Sequence, residues 1–162
     1  PTNLEPPTTI NKIVRIESAE ELRQKVLEHF EDSDIIIMTA AVSDLRIKNY
    51  SDQKLKKDKI ISLEIEKNPD IIKELGRRKR DGQILVGFAA ETENLKENAM
   101  KKLKEKNMDM IILNDVSRKD IGFEKEENEV TIFTSKEEHR LEKNHKRIIA
   151  GNICDFIFSN FF

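Results

Sequence analysis

Apolar and polar positions along this chain follow two rhythms. Ile35-Ile-Ile-Met38, Ile84 to Phe88 and Met110 to Leu113 are short, continuous apolar runs, the pattern of strands buried on both faces. Lys12 to Ile16 is a short alternating run, and Ile60 to Glu66 alternates apolar with acidic residues, which predicts a half-exposed strand. Between the runs stand helix signals. Ser18-Ala-Glu-Glu21 reads as a capping box opening a helix to about His29. Asn68-Pro69 reads as an N-cap followed by Pro at the first helical position, with the helix running to about Arg80. Thr92 predicts a cap for a helix to about Lys106. Asn128 to Phe133 and Glu138 to Leu141 pair as a hairpin across Thr134 to Glu137, and a last helix is expected from about Asn144 to Phe158.

Strands alternating with helices predict an α/β fold. The expected form is Rossmann-like and doubly wound: a mostly parallel sheet, helices on both faces, and an antiparallel hairpin at the edge. No repeat or linker divides the chain, so residues 1–162 are expected to form one domain. Ligands of such sheets bind beyond the carboxyl ends of the strands. That rule selects Thr39 to Asp44, Ala89 to Thr92 and Asn114 to Ser117.

Composition narrows the classes. With 29 basic and 31 acidic residues, the chain has no overall basic field for nucleic acid. No apolar stretch approaches the roughly 20 residues that span a bilayer, and no signal-peptide pattern is visible. The single cysteine, Cys154, excludes an internal disulfide and fits a reducing, cytoplasmic compartment. Its neighbours Ile153, Phe156 and Ile157 predict a buried packing role. His29, His139 and His145 lack ligand spacing and read as surface residues. Neither a G-x-G-x-x-G nor a G-x-x-x-x-G-K-[ST] motif occurs among the five scattered glycines. A nicotinamide-dependent oxidoreductase or a P-loop enzyme is therefore disfavoured.

Read as residues alone, the chemistry-bearing positions stay open between site and structure. Five lysines fall between Lys48 and Lys59, in a polar stretch from Thr39 to Lys59 expected to be a long mobile loop. Most such runs are solvated. Asp44 follows a strand and can cap its own turn. Phe88 ends a strand and fits either core or ligand contact. Lys102 and Lys106 lie four apart, on one helix face, whereas Lys101 and Lys104 lie on others. Asn114 and Asp115 can bind or shape a turn.

Several blocks, in order, resemble the phosphopantothenate–cysteine ligase family, the ligase part of bifunctional coenzyme A biosynthesis flavoproteins. Thr39-Ala-Ala-Val-Ser-Asp44 resembles A-A-V-[SA]-D, Lys54-Leu-Lys-Lys57 resembles K-I-K-K, and Lys67-Asn-Pro-Asp-Ile71 resembles K-N-P-D-I. Val86-Gly-Phe-Ala-Ala-Glu-Thr92 resembles V-G-F-A-A-E-T. Asn114-Asp-Val116 resembles A-N-D-V with Leu113 in place of Ala, and Gly122-Phe123 with Asn128-Glu-Val130 resembles G-F-x-x-x-x-N-x-V. Pro1 to Pro7 resembles the loop G-P-x-x-L-x-x-P-P. Family enzymes carry a further N-terminal strand, Gly-containing loop and helix, with an Asn used in catalysis. That segment is not in this sequence, and the acyl-substrate pocket is expected to lie largely in it.

The resemblance implies a reaction. The carboxylate of 4'-phosphopantothenate attacks the α-phosphorus of CTP, giving an acyl-cytidylate and pyrophosphate. The amine of L-cysteine then displaces CMP. It implies Lys54 as catalytic lysine, with Lys56 and Lys57 as weaker candidates. Nucleotide contacts are implied at Met38, Thr39, Ala40, Asp44, Pro69, Asp70, Ile71, Ile72, Phe88, Lys102 and Lys106, with Asn68, Asn114 and Asp115 as lesser ones. Mg²⁺ is implied by the triphosphate chemistry, without assigned protein ligands. A homodimer is implied, and a decarboxylase domain in the full polypeptide is compatible. The alternative is a nucleotide-binding module without ligase activity.

Overall fold

The computed structural model describes residues 9–49, 62–117, 120 and 125–162. The Pro1 to Pro7 loop, the Lys54, Lys56 and Lys57 positions and the Gly122-Phe123 pair lie outside the described residues.

Helix α1 (Ala19–Phe30) starts where the capping signal placed it. Ser18 Oγ accepts from the Glu21 N–H at 3.1 Å, and the Glu21 carboxylate reaches back to the Glu17 N–H at 2.7 Å. Strand β1 (Ile35–Met38) follows. A small two-stranded antiparallel ribbon comes next, formed by β2 (Leu45–Ile47) and β3 (Ile65–Lys67); β2 corrects the expectation of loop from Thr39 to Lys59, since its ladder partner is supplied by a segment distant in the chain. Helix α2 (Ile71–Arg78), β4 (Ile84–Glu91), α3 (Leu95–Glu105) and β5 (Met110–Asp115) complete the alternating part. The hairpin of β6 (Glu127–Thr134) and β7 (Glu138–His145) leads into α4 (Lys146–Phe161). At its turn Thr134 Oγ1 accepts from the N–H groups of Lys136 and Glu137, both at 3.1 Å.

The main sheet has the order β1-β4-β5-β6-β7. This corrects the expected mostly parallel sheet. β1–β4 and β4–β5 pair in parallel, but β5–β6 and β6–β7 pair antiparallel, so the sheet is mixed. Antiparallel neighbours need no crossover helix between them, and a tight turn at Thr134 to Glu137 joins β6 to β7. Among the described residues the chain moves β1 to β4 to β5 in one direction, and right-handed crossovers then place their helices on one face. Phe30 of α1, Leu75 of α2 and Leu103 of α3 share a core with Leu85, Ile111 and Phe133. Among the described residues only α4 covers the other face, packing Ile149, Ile153 and Ile157 on Val86, Ile112 and Ile132. The expectation of helices on both faces and an antiparallel edge hairpin holds.

Local expectations differ in instructive places. β1 borders the described sheet, so Ile37 is 43% exposed rather than buried on both faces. Lys12 to Ile16 is exposed and joins no strand. α2 begins two residues later than predicted, because Asp70, not Asn68, caps it: Asp70 Oδ1 accepts from the Lys73 N–H at 3.1 Å. α3 begins after Asn94, whose left-handed backbone (φ 48°) makes no side-chain cap, so Thr92 does not cap it. Cys154 is exposed rather than buried, since Ile153 and Ile157 take the core-facing positions of α4.

Candidate functional site

At the carboxyl ends of β1 and β4 lies a cleft of about 370 Å³. One wall is the loop after β1, from Met38 through Ala40 to Asp44. A second is the entry to α2, from Asn68 through Pro69, Asp70 and Ile71 to Ile72. Phe88, Ala89 and Ala90 of β4 form the floor, and Lys102 and Lys106 of α3 close the remaining side. The pattern of the chain explains the gathering. Parallel strands all end at the same edge of the sheet, and each is followed there by a loop or a helix start.

Of the nucleotide-contact positions implied by the family resemblance, Met38, Ala40, Asp44, Pro69, Asp70, Ile71, Ile72, Phe88, Lys102 and Lys106 line this cleft, as does Asn68. Thr39 is exposed but outside the lining. Asn114 and Asp115 end β5 away from the lining. Asp115 closes a local turn, accepting from Ser117 Oγ at 2.6 Å and from the Ser117 N–H at 3.0 Å. Phe88, which the sequence left even between core and contact, is 38% exposed at the cleft. Lys101 and Lys104 face solvent, as their helical offset requires.

The cleft-side face of α3 forms a ladder of donors one turn apart. Lys106 Nζ pairs with Asp70 Oδ2 at 3.0 Å, so one carboxylate both caps α2 and holds α3. Lys102 Nζ pairs with Glu91 Oε1 at 2.5 Å. Asn98 Nδ2 donates to Glu91 Oε2 at 3.4 Å and to the Glu93 carbonyl at 3.0 Å. Glu91 and Asn98 were not singled out in the sequence. A signal was present for Asn98, since Asn98, Lys102 and Lys106 follow at steps of four, but not for Glu91.

Two lysine ammonium groups and the N–H groups opening α2 face the cleft, an arrangement that can accommodate an anion. Among the described residues no three His, Cys, Asp or Glu side chains cluster. Asp70 and Glu91 are taken by lysines. No helix of the described residues is long and apolar enough to cross a membrane.

The model of the DNA/pantothenate metabolism flavoprotein C-terminal domain matches residues 1–161. This chain belongs to that family. Relatives in the family include the coenzyme A biosynthesis bifunctional protein CoaBC of Bacillus subtilis (strain 168). It is 45% identical over 134 residues, which cover 82% of this chain and 33% of the relative. The protein of the same name from Haemophilus influenzae (strain ATCC 51907 / DSM 11121 / KW20 / Rd) is 38% identical over 162 residues. These cover 99% of this chain and 40% of the relative. The crystal structure of the C-terminal domain of a CoaBC protein superposes with a TM-score of 0.78 at 37% identity. It covers 97% of this chain and 69% of that one. The chain thus spans less than half the length of these curated family members.

Proposed function

We propose that this chain is the nucleotide-binding part of a phosphopantothenate–cysteine ligase of coenzyme A biosynthesis. In this reading the carboxylate of 4'-phosphopantothenate attacks the α-phosphorus of CTP. An acyl-cytidylate forms and pyrophosphate leaves. The amine of L-cysteine then attacks the acyl carbon and releases CMP. The observation that carries the reading is the cleft itself, where the Asp44 loop, the α2 entry, Phe88 and the Lys102/Lys106 face meet at one sheet edge.

The chemistry asks for charge neutralisation rather than for a strong base, because one anion attacks another. Lys102 and Lys106 would exchange their carboxylate partners for phosphate oxygens. The N–H groups at Ile71 and Ile72 would donate to the ligand without a side chain, and Asp44 would accept from ribose or base. Lys54 would approach as the catalytic lysine, with Lys56 and Lys57 beside it. Magnesium belongs to the reading only as the counter-ion carried by the triphosphate.

A homodimer in the cytoplasm, with a decarboxylase domain in the full polypeptide, completes the proposal. Support for the dimer comes from the β2–β3 ribbon. Leu45, Ile47 and Ile65 stand on one face of it, between 47% and 63% exposed. Arg46 and Glu66 pair on the other at 2.7 Å. An exposed apolar ribbon face is a natural seat for a second strand pair.

The test is pyrophosphate release from CTP and 4'-phosphopantothenate, by this chain and by a full-length form carrying the family's N-terminal segment. Release by the full-length form alone would place the acyl-substrate side in that segment. CTP binding without turnover in either form would favour a nucleotide-binding module, a reading that the partial span of the relatives keeps in play. NADH binding would favour an oxidoreductase instead.

A further inference from the structure

Asn68 reads in the sequence as a helix cap, yet Asp70 does the capping and Asn68 lies two residues outside α2. Its bonds go elsewhere. Its backbone N–H donates to the Asp44 carbonyl at 2.8 Å, and its side-chain Nδ2 donates to the Ser43 carbonyl at 2.8 Å. One residue therefore holds two successive carbonyls of the loop that leaves β1. Ser43 Oγ secures the same turn from within, donating to the Leu45 carbonyl at 2.9 Å and accepting from the Leu45 N–H at 3.3 Å.

The orientation of the amide follows from the acceptor. Turning it over would set Oδ1 against the Ser43 carbonyl, acceptor against acceptor. In the orientation present, Asn68 Oδ1 is buried without a partner among the described residues. A buried acceptor left this way is unfavourable, because it gives up its bonds to water. The clamp is kept in spite of that cost.

We propose that Asn68 is a positioning residue: it ties the Asp44 loop to the α2 entry and so sets the alignment of the two walls between which the nucleotide lies. The proposal rests on the nucleotide reading of the cleft. Asn68 acts through Asp44 rather than by touching phosphate, and it is needed as an amide.

The experiment is a CTP titration of the full chain as wild type, Asn68→Ala, Asn68→Asp, Asp44→Asn and the Asn68→Ala/Asp44→Asn double variant. Hydrogen exchange at residues 40–45 is measured alongside. Asn68→Ala should bind CTP about tenfold more weakly, the equivalent of about 1.4 kcal/mol. Asn68→Asp should lose more, because its carboxylate faces the Ser43 carbonyl. The double variant should bind no worse than the weaker single one, since both act on one contact. Additive losses, or an Asn68→Ala variant that melts lower while binding CTP like wild type, would overturn the clamp. If the wild type binds no CTP, the nucleotide reading of the cleft fails. The clamp then stands on faster exchange at residues 40–45 in Asn68→Ala, and unchanged exchange there sinks it.

Discussion

Two helical glycines should respond to the same substitution with opposite signs. Gly76 is buried within α2 where that helix meets the end of α3. A Cβ at Gly76 would overlap the carbonyl oxygen of Lys106 and lie 2.9 Å from its carbonyl carbon. Carbon atoms at rest stand about 3.5–4.0 Å apart, so the helices must separate by at least roughly half an ångström. Backbone cannot swing aside as a side chain can, which puts the overpacking cost at about 3 kcal/mol, the upper part of its usual range. Separation also strains the bond from Asn107 Nδ2 to the Gly76 carbonyl, now 2.7 Å, worth about 1 kcal/mol net. Alanine regains about 1 kcal/mol of helix propensity. The balance is a loss of about 3 kcal/mol, or roughly 6–12 °C in melting temperature for a domain of this size. Gly151 lies in α4 with nothing within 4 Å of a Cβ. Gly151→Ala keeps only the propensity gain and should raise the melting temperature by about 2–4 °C. Thermal unfolding of both variants by circular dichroism measures this directly. Gly76→Ala should also weaken CTP binding, because separating the helices moves Lys106 away from the α2 entry on the other side of the cleft. A Gly76→Ala chain that melts at or above wild type would refute the close-approach argument, and a destabilised Gly151→Ala chain would refute the reading of open space.

Three further outcomes are expected. Replacing Lys102 and Lys106 together by Ala should weaken CTP binding at least about tenfold by calorimetry, while the Lys101/Lys104 pair replaced in the same way leaves it unchanged; equal losses would dismiss the cleft-facing pair as special. Lys54→Gln should cut turnover of the full-length enzyme while leaving its melting temperature in place, and the reverse pattern would remove Lys54 from the chemistry. Glu74 accepts from Arg23 at 2.6 and 2.8 Å and forms an ion pair with Arg78 at 2.6 Å, and the Arg23 hydrogen bonds hold its carboxyl below the ordinary value of 4.5. The folded state thus favours ionised Glu74, so the stability it adds is present above the unfolded value and is lost as pH falls through the lowered folded one. Glu74→Gln should flatten the acid limb of a denaturant-midpoint curve below pH 4.5, and an unchanged slope would show that this carboxylate does not contribute to it.

Much of the cleft is legible in the amino-acid sequence. Ile35 to Met38, Ile84 to Phe88 and Met110 to Leu113 were readable as strands because an apolar run of strand length has few other places to go. Once they were parallel neighbours, their carboxyl ends had to share an edge. The four-residue step from Lys102 to Lys106 already separated cleft-facing lysines from Lys101 and Lys104.

What the sequence by itself determined was therefore local and periodic: where the three apolar strands β1, β4 and β5 lie, which face of α3 is which, and where the loops that make the cleft fall. Tertiary structure decided the rest. Asp70 outcompeted Asn68 for the α2 cap because the loop after β1 had carbonyls for Asn68 to hold. β1 came to border the described sheet, and β6 and β7 turned it mixed, since pairing partners are chosen across the fold and not along the chain. Glu91 became the partner of Lys102 through the packing of α3 on β4, a contact that no spacing in the sequence encodes alone.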